Sequence, residues 1–379
     1  MTKPWAAIEN IKTDCRWFRG HVPCRPHKQF GVHCLDSNGR ACEHYDRLTS
    51  RILIIKLGAI GDVIRTTPLL RRLKGMYPHA QVWWLTLTPE VVPPSVDIVL
   101  GFTPQSIASL MAAEFDIVIN LDKDREACSL ASSLKAGMRL GFILQAGVPA
   151  PANAAAAQKY LTGLWDDLNK ENRKSYLQEI FEICGFEFSG EKYILDSFSS
   201  RGYSWDLPQG LPIVGLNTGC GGRWTSRLWA EERWIGLARR LSDAGYTPLL
   251  LGGEQEHARN QRVAAASGAT YLGHFPLTQF INLVDQCDLV VTAVTMAMHI
   301  TIGLNKKIVL FNNIFNRHEF ELYGLGEIVE PGVECTCYFS PECPNNCMQH
   351  ITVDRVFDVC TQLLKSGSRP SSQRHGQVS

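Results

Sequence analysis

Three groups of residues in this chain have types and spacings that could do chemistry. The first is a glycine turn, Lys56-Leu-Gly58-Ala-Ile-Gly61-Asp62, that closes the apolar run Ile52–Ile55 and opens onto a helical stretch. Glycines let a backbone turn sharply and approach a ligand closely. Asp62 is left at the carboxyl edge of a strand, where open α/β sheets gather their chemistry, although a carboxylate there can also simply cap the helix. The turn is neither the G-x-G-x-x-G of dinucleotide folds nor a Walker loop. The second group is Asn217-Thr218-Gly219-Cys-Gly-Gly222, at the exit of the apolar run Pro212–Asn217. A glycine-rich backbone turn of this kind presents N–H groups to phosphate. The third is Cys335-x-Cys337-x(5)-Cys343-x(3)-Cys347, a compact loop stiffened by Pro341 and Pro344. Four thiolates so spaced suit a tetrahedral zinc or iron ion.

A further cysteine set, Cys15, Cys24, Cys34 and Cys42, is more widely spaced, and His21, His27, His33 or His44 could replace any member. In a reducing compartment clustered cysteines are read as metal ligands before disulfides. Neither cluster offers an open position or a base, so both are expected to hold structural zinc or iron, against the plainer alternative of reduced thiols in flexible loops. No catalytic metal is expected. Asp122-Lys123-Asp124 is a D-x-D, but its place after an early strand favours a solvated loop or an acceptor contact.

These residues need elements to hold them. The chain has 379 residues, 45% apolar and 20% charged, enough for two ordinary domains. A formal net charge of +1 argues against a nucleic-acid partner. There is no apolar run of about 18 residues to span a membrane, and no apolar signal core at the N-terminus, which together predict a cytoplasmic protein. Candidate strands at 52–56, 81–86, 98–101, 116–120 and 139–142 alternate with helical stretches, as in a parallel sheet. Leu69, Leu70, Leu73 and Met76 mark one apolar helix face. Residues 145–158 read as a flexible loop leading to a helix near 160–184. The rhythm restarts with strands at 212–217, 247–252, 288–292 and 307–311, and 353–364 is an amphipathic terminal helix able to pack back across the domains. The expected organisation is a cysteine-rich metal-binding module at 1–50, Rossmann-like domains at 51–205 and 206–365, the second containing the cysteine loop 335–347, and a disordered tail at 366–379.

The Gly-Asp turn, followed by Thr67-Pro68-Leu-Leu-Arg-Arg-Leu-Lys, resembles the opening of glycosyltransferase family 9, the heptosyltransferases. The resemblance runs over roughly residues 51–360 and rests on the order and spacing of several loops. It implies the GT-B architecture, two Rossmann-like doubly wound domains facing a cleft. The implied activity is inverting, metal-independent transfer of a sugar from a nucleotide-diphospho-sugar, with ADP-heptose a candidate donor. The family's loop aspartate is its candidate base and maps onto Asp62, with the domain of residues 51–205 taking the acceptor and that of residues 206–365 the donor. Asn217, Thr218 and Gly219 match its donor loop. Arg227-Leu-Trp229 matches its Lys-x-Trp with a cation kept for phosphate. Glu256 matches the acidic residue that holds the ribose, with helix capping as the alternative. Val291-Thr-Ala-Val-Thr295-Met296-Ala-Met-His299 aligns with Val-x-x-Asp-Thr-Gly-x-x-His, so Thr295, Met296 and His299 are expected at the diphosphate. Val294 replaces the acid that would bind sugar hydroxyls. Asn316 and Glu319, just beyond the strand at 307–311, could supply polar contacts in its stead.

A subgroup of the family that modifies autotransporter proteins holds iron through cysteines of the C-terminal region. Acceptors implied by the resemblance are a glycan such as lipopolysaccharide, lipid-linked at the inner membrane face, or a protein. Two rival readings stand beside transfer: a GT-B shell that docks a partner through its cysteine modules, and a GT-B nucleotide-sugar epimerase.

Overall fold

Ile52, Leu53, Ile54 and Ile55 are wholly shielded from solvent, as a strand covered on both faces of a parallel sheet must be. They form β1 (Ser50–Ile55), the central strand of the first of two sheets in the computed structural model, which describes residues 7–365. The tail expected at 366–379 lies outside the described residues. The chain divides into two compact units. One comprises residues up to Gly58, Thr66–Tyr160 and Gln178–Glu191; the other comprises Ala59–Arg65, Leu161–Leu177 and the chain from Lys192.

In the first unit, β1, β2 (Ala80–Thr86), β3 (Ile98–Gly101), β4 (Glu114–Asn120), β5 (Lys135–Gln145) and β6 (Val148–Pro151) line up in the order β3-β2-β1-β4-β5-β6. All pair in parallel except the β5–β6 hairpin. Residues 145–158, expected as a flexible loop, thus contain a strand. The order reverses between β1 and β4. There Lys56 Nζ pairs with Asp122, whose second oxygen accepts from the Leu57 amide. Both side chains are buried, so Asp122 is a structural partner of the first turn and not a solvated residue. Burial raises its pKa and Lys56 opposes the rise.

The N-terminal segment, with the short helix α1 (Arg25–Phe30), is tied to the amino-terminal end of β2. Arg16 pairs with Asp46 at 2.9 Å and donates to the Pro78 carbonyl. Asp46 also meets His79, and Gln81 on β2 donates to the Arg16 carbonyl. A bridge between Cys15 and Arg47 closes the segment. After β1 come α2 (Ile60–Thr66), α3 (Leu69–Met76), α4 (Pro104–Ala112) and α5 (Arg125–Ser133). Leu69, Leu70 and Leu73 are buried as expected, whereas Met76 at the helix end is exposed. The single helix expected near 160–184 is three: α6 (Ala156–Thr162), α7 (Asp166–Glu171) and α8 (Tyr176–Ile183).

The second unit has five parallel strands, β7 (Ile213–Asn217), β8 (Thr247–Leu251), β9 (Leu289–Ala293), β10 (Lys307–Phe311) and β11 (Gly326–Val329), in the order β11-β10-β9-β7-β8. Its helices are α9 (Glu231–Asp243), α10 (His257–Ser267), α11 (Leu277–Asp285), α12 (Met296–Gly303) and α13 (Val353–Lys365). Trp229, Trp234 and Phe311 meet edge to face or tilted in the core. The α9 face Trp234, Leu237, Ala238, Leu241 and the α13 face Val356, Val359, Cys360 are buried in the same cluster. The terminal helix therefore covers α9, β10 and β11 of its own unit.

Candidate active site

In open α/β sheets ligands bind beyond the carboxyl ends of the strands, where the strand order reverses. In the second unit that point lies between β7 and β9. Asn217, the last residue of β7, ties the two ends together: its Nδ2 donates to Thr292 Oγ1 at 3.0 Å and to the Gly219 carbonyl at 3.2 Å, and lies 3.4 Å from Thr295 Oγ1. Thr295 caps α12 by accepting from the Ala297 amide. A cavity of about 840 Å³ opens here. Its wall combines the turns at Gly219–Gly221 and Gly252–Gly253, the start of α12 at Met296, and Ala59–Asp62 with Arg65, the chain segment that carries the first glycine turn into the second unit.

Asp62 occupies the first turn of α2. One oxygen accepts from the Ala59 amide at 3.3 Å and the other meets Arg65 Nε at 2.8 Å. The carboxylate therefore closes the start of its helix and still faces the cavity, about a third exposed. Arg65 also reaches Glu319 Oε1 at 3.0 Å and lies 3.5 Å over the Tyr176 ring. Burial alone would lower the Arg65 pKa, but Asp62 and Glu319 outweigh it and the net shift is upward. One cation thus holds two carboxylates on the cavity wall.

His299, on the second turn of α12, is buried against the same segment. A side chain on Gly61 would put its Cβ 2.4 Å from His299 Cδ2, so glycine is needed there for close approach. The Tyr193 hydroxyl lies 3.4 Å from His299 Nδ1. Burial lowers the His299 pKa to about 3, with Arg65 adding to the fall and Asp62 opposing it. The imidazole is therefore neutral near pH 7, and whatever it gives a phosphate is a hydrogen bond and not a charge.

The remaining expected residues divide. Arg227 lines the cavity, but its two terminal nitrogens donate to the carbonyls of Cys220 and Val294, bracing two loops of the wall. Burial lowers its pKa. Glu256 lies in the cradle of Gly219 and Gly252, where any Cβ would overlap it, and accepts from the Gly253 amide at 2.9 Å. It closes a short turn and still faces the cavity. Thr218 turns away: its hydroxyl binds Asn260 on α10 and its carbonyl accepts from Arg259. Asn316 is likewise committed elsewhere, donating to the carbonyls of Asn169 and Asn172 and accepting from the His318 amide. Neither lines the cavity, whereas Glu319 does. Gly58 belongs to the first unit. Sequence reasoning missed Arg65, though its spacing three residues from Asp62 on a helix was a usable signal. Nothing local marked Tyr193, Tyr176 or the aromatic wall of Trp224, Phe315 and Phe339.

Cys335, Cys337, Cys343 and Cys347 bring four sulfurs within 4.8 Å of one another. The sulfur separations run from 2.7 Å for Cys335–Cys337 and 3.4 Å for Cys335–Cys343 to 3.7 Å for Cys337–Cys347; the last is near the ~3.8 Å expected around a tetrahedral ion with ~2.3 Å bonds to sulfur, and the other two are shorter. The Cys347 amide donates to Cys343 Sγ and Asn313 Nδ2 to Cys347 Sγ, the kind of outer bonds that orient metal ligands. This donor set fits zinc or iron. The other expected set is not assembled: among the described residues, Cys15, Cys24, Cys34 and Cys42 form no such group. Cys15 sits in the bridge to Arg47, Cys24 precedes α1, and Cys34 and Cys42 pair through their backbones across a small hairpin. The segment meets the amino-terminal end of β2 through Arg16 on the Pro78 carbonyl, Asp46 on His79 and Gln81 on the Arg16 carbonyl.

Two open, mainly parallel sheets, with a cavity at a switch point bordered by glycine turns and a helix N-terminus, define a protein of the GT-B class. The family model of glycosyltransferase family 9 (heptosyltransferase) matches residues 105–318, more than half of the chain, and the chain belongs to that family. It is a glycosyltransferase. The structure is similar to the family 9 glycosyl transferase of Veillonella parvula DSM 2008, at 18% identity over 84% of this chain and 98% of that one, with a TM-score of 0.63. It is similar to the ADP-heptose lipopolysaccharide heptosyltransferase II of E. coli, at 18% identity, 83% and 99% coverage and a TM-score of 0.62. A third likeness is to the iron-containing dodecameric glycosyltransferase TibC of enterotoxigenic E. coli H10407, at 14% identity, 85% and 77% coverage and a TM-score of 0.54. At these identities the likeness is one of fold. No curated protein matches the chain in sequence. No described helix is long and apolar enough to cross a membrane.

Proposed function

We propose that the chain is an inverting glycosyltransferase that moves a sugar from a nucleotide-diphospho-sugar, with ADP-heptose the first candidate, to a hydroxyl of a glycan, lipid-linked glycan or protein in the cytoplasm. The observation that carries this reading is the meeting of the Asp62–Arg65 segment with the α12 N-terminus and two glycine turns around one cavity. In this reading Asp62 takes the proton of the acceptor hydroxyl, whose oxygen forms a bond to the anomeric carbon. The bond from that carbon to the diphosphate breaks, and the nucleoside diphosphate leaves with the electron pair. The charge that develops on the leaving group is met by the helix N-terminus at Thr295–Met296 and by Arg227. His299 donates or accepts a hydrogen bond as a neutral ring. Glu256 holds the nucleoside's ribose, and Glu319, held by Arg65, contacts sugar hydroxyls in place of the acid absent at Val294. Asn217, Thr218 and Gly219 shape the turn.

Cys335, Cys337, Cys343 and Cys347 would hold zinc or iron, which supplies a structural cross-link of the loop and no step of the transfer. Support for the donor class comes from family membership and from a heptosyltransferase of the same fold whose solved structure contains ADP-2-deoxy-2-fluoro heptose. The test is a mass-spectrometric screen of the purified protein with ADP-, GDP- and UDP-sugars. Transfer or donor turnover lost in Asp62→Asn is expected; no turnover of any of the three donor classes would overturn the reading.

A further inference from the structure

The cysteine loop does not stand apart from the cavity. Ser226, in the turn that carries Arg227, donates through its amide to the Pro341 carbonyl at 2.9 Å and through its hydroxyl to the Ser340 carbonyl at 2.8 Å. Asn313 Nδ2 joins the two structures from the other side, 2.8 Å from the Ser226 carbonyl and 3.3 Å from Cys347 Sγ. Cys337 and Cys347 share a buried cluster with Ile314, against which Trp224 and Phe315 pack. The Arg227 guanidinium lies 5.4 Å over Phe315, and its outer nitrogens brace the carbonyls at Cys220 and Val294. An unbroken set of bonds and packed rings thus runs from the thiolates to the cavity wall.

We propose that the cysteine centre and the Arg227 turn are one mechanical piece, so that metal in the loop sets the shape of the donor-binding wall. The inference rests on the metal reading above and adds to it a function for the ion: holding Ser226, and through it Arg227, in place. A loop held by four thiolates has few alternative conformations, whereas the same loop without an ion keeps only its local hydrogen bonds. Loosening it frees Ser340 and Pro341 and removes the support under residues 224–228.

Hydrogen exchange followed by mass spectrometry on the full chain tests this directly, together with ADP affinity by calorimetry. Metal content is measured before and after treatment with a chelator. Removal of the ion is expected to raise amide exchange in 220–228 by at least roughly tenfold, while peptides of 51–58 keep their protection. ADP binding should weaken in parallel, and both should return on adding the metal back. Where chelation unfolds the whole chain, Asn313→Ala saturated with metal decides: it keeps all four thiols, and exchange in 224–228 should still rise. Protein purified with fewer than about 0.2 ions per chain would overturn the metal reading itself. Metal present, with exchange in 220–228 indifferent to its removal or, in the variant, unchanged, would overturn the coupling alone.

Discussion

Arg65 contacts two carboxylates that face the same cavity, so its own substitution reports on both. Asp62→Asn keeps the size of the side chain and its bond to the Ala59 amide but removes the proton acceptor. Turnover should fall by roughly 10²–10⁴, with nucleoside diphosphate affinity retained in a calorimetric titration. Near-normal transfer would end the case for this base. Arg65→Met takes away the positive neighbour of Asp62 and Glu319. Both carboxylates then lose the partner that fixes them on the cavity wall, so kcat/KM should fall by at least roughly tenfold, part of what a positioned base contributes. An unchanged kcat/KM would show that neither carboxylate depends on this cation. Arg227→Ala should weaken nucleoside diphosphate binding by about 1.5–3 kcal/mol, the range for charged hydrogen bonds. Arg227→Lys should recover little, because a single ammonium cannot brace the Cys220 and Val294 carbonyls as a two-pronged guanidinium does.

At the scale of elements, the site depends on the closeness of α2 to α12, set by Gly61 against the His299 ring. Gly61→Ala forces the two apart and should cost about 1–3 kcal/mol of stability by denaturant unfolding, the usual penalty for overpacking. Combining it with His299→Ala should give less than the sum of the two losses, since the clash partner is gone. His299 also makes stability depend on pH. Its pKa is about 3 in the folded protein and returns to about 6.5 in the unfolded chain. Between those values the unfolded state binds the extra proton, so the contribution is complete above about pH 6.5 and is lost as the pH falls toward about 3. The urea midpoint of the native protein should therefore drop more between about pH 7.5 and about pH 5 than that of His299→Gln.

These elements were largely legible in the sequence because buried parallel strands are continuous apolar runs: Ile52–Ile55 and Lys307–Phe311 needed only their composition. Short β6 and β11 carried no such run and escaped, and of β5 only residues 139–142 were read. That Asp62, Glu256 and His299 come from loops gathered at one cavity was legible because glycines and strand exits mark those loops. That Thr218 and Asn316 bond neighbouring elements and stand off the cavity wall was not legible, because a polar residue beside a ligand loop and one that bonds the next element look the same until partners are seen.

At the scale of the whole molecule, the cysteines separate two ways of holding a small segment. Residues 335–347 gather four sulfurs, whereas the N-terminal segment meets the amino-terminal end of β2 through Arg16, Asp46 and Gln81. Elemental analysis should therefore find about one ion per chain rather than two. Replacing Cys15, Cys24, Cys34 and Cys42 together by Ser should leave that ion in place, while Cys343→Ser should release it. Two ions, or retention in Cys343→Ser, would reverse the assignment. An iron centre would colour the protein and zinc would not. Spacing alone could not separate the two sets, because ligand spacing does not reveal which loops have other anchors.

The grouping of Ala59–Arg65 with the second unit bears on how such enzymes can be recombined. A hybrid joined near residue 205, where the sequence suggests a natural seam, would take the first half from one parent and the second from another. It would then part Arg65 from Glu319 and Gly61 from His299, although each pair must match. Functional hybrids should emerge only when those pairs descend from the same parent, or when residues 59–65 travel with the later half of the chain as an inherited cassette.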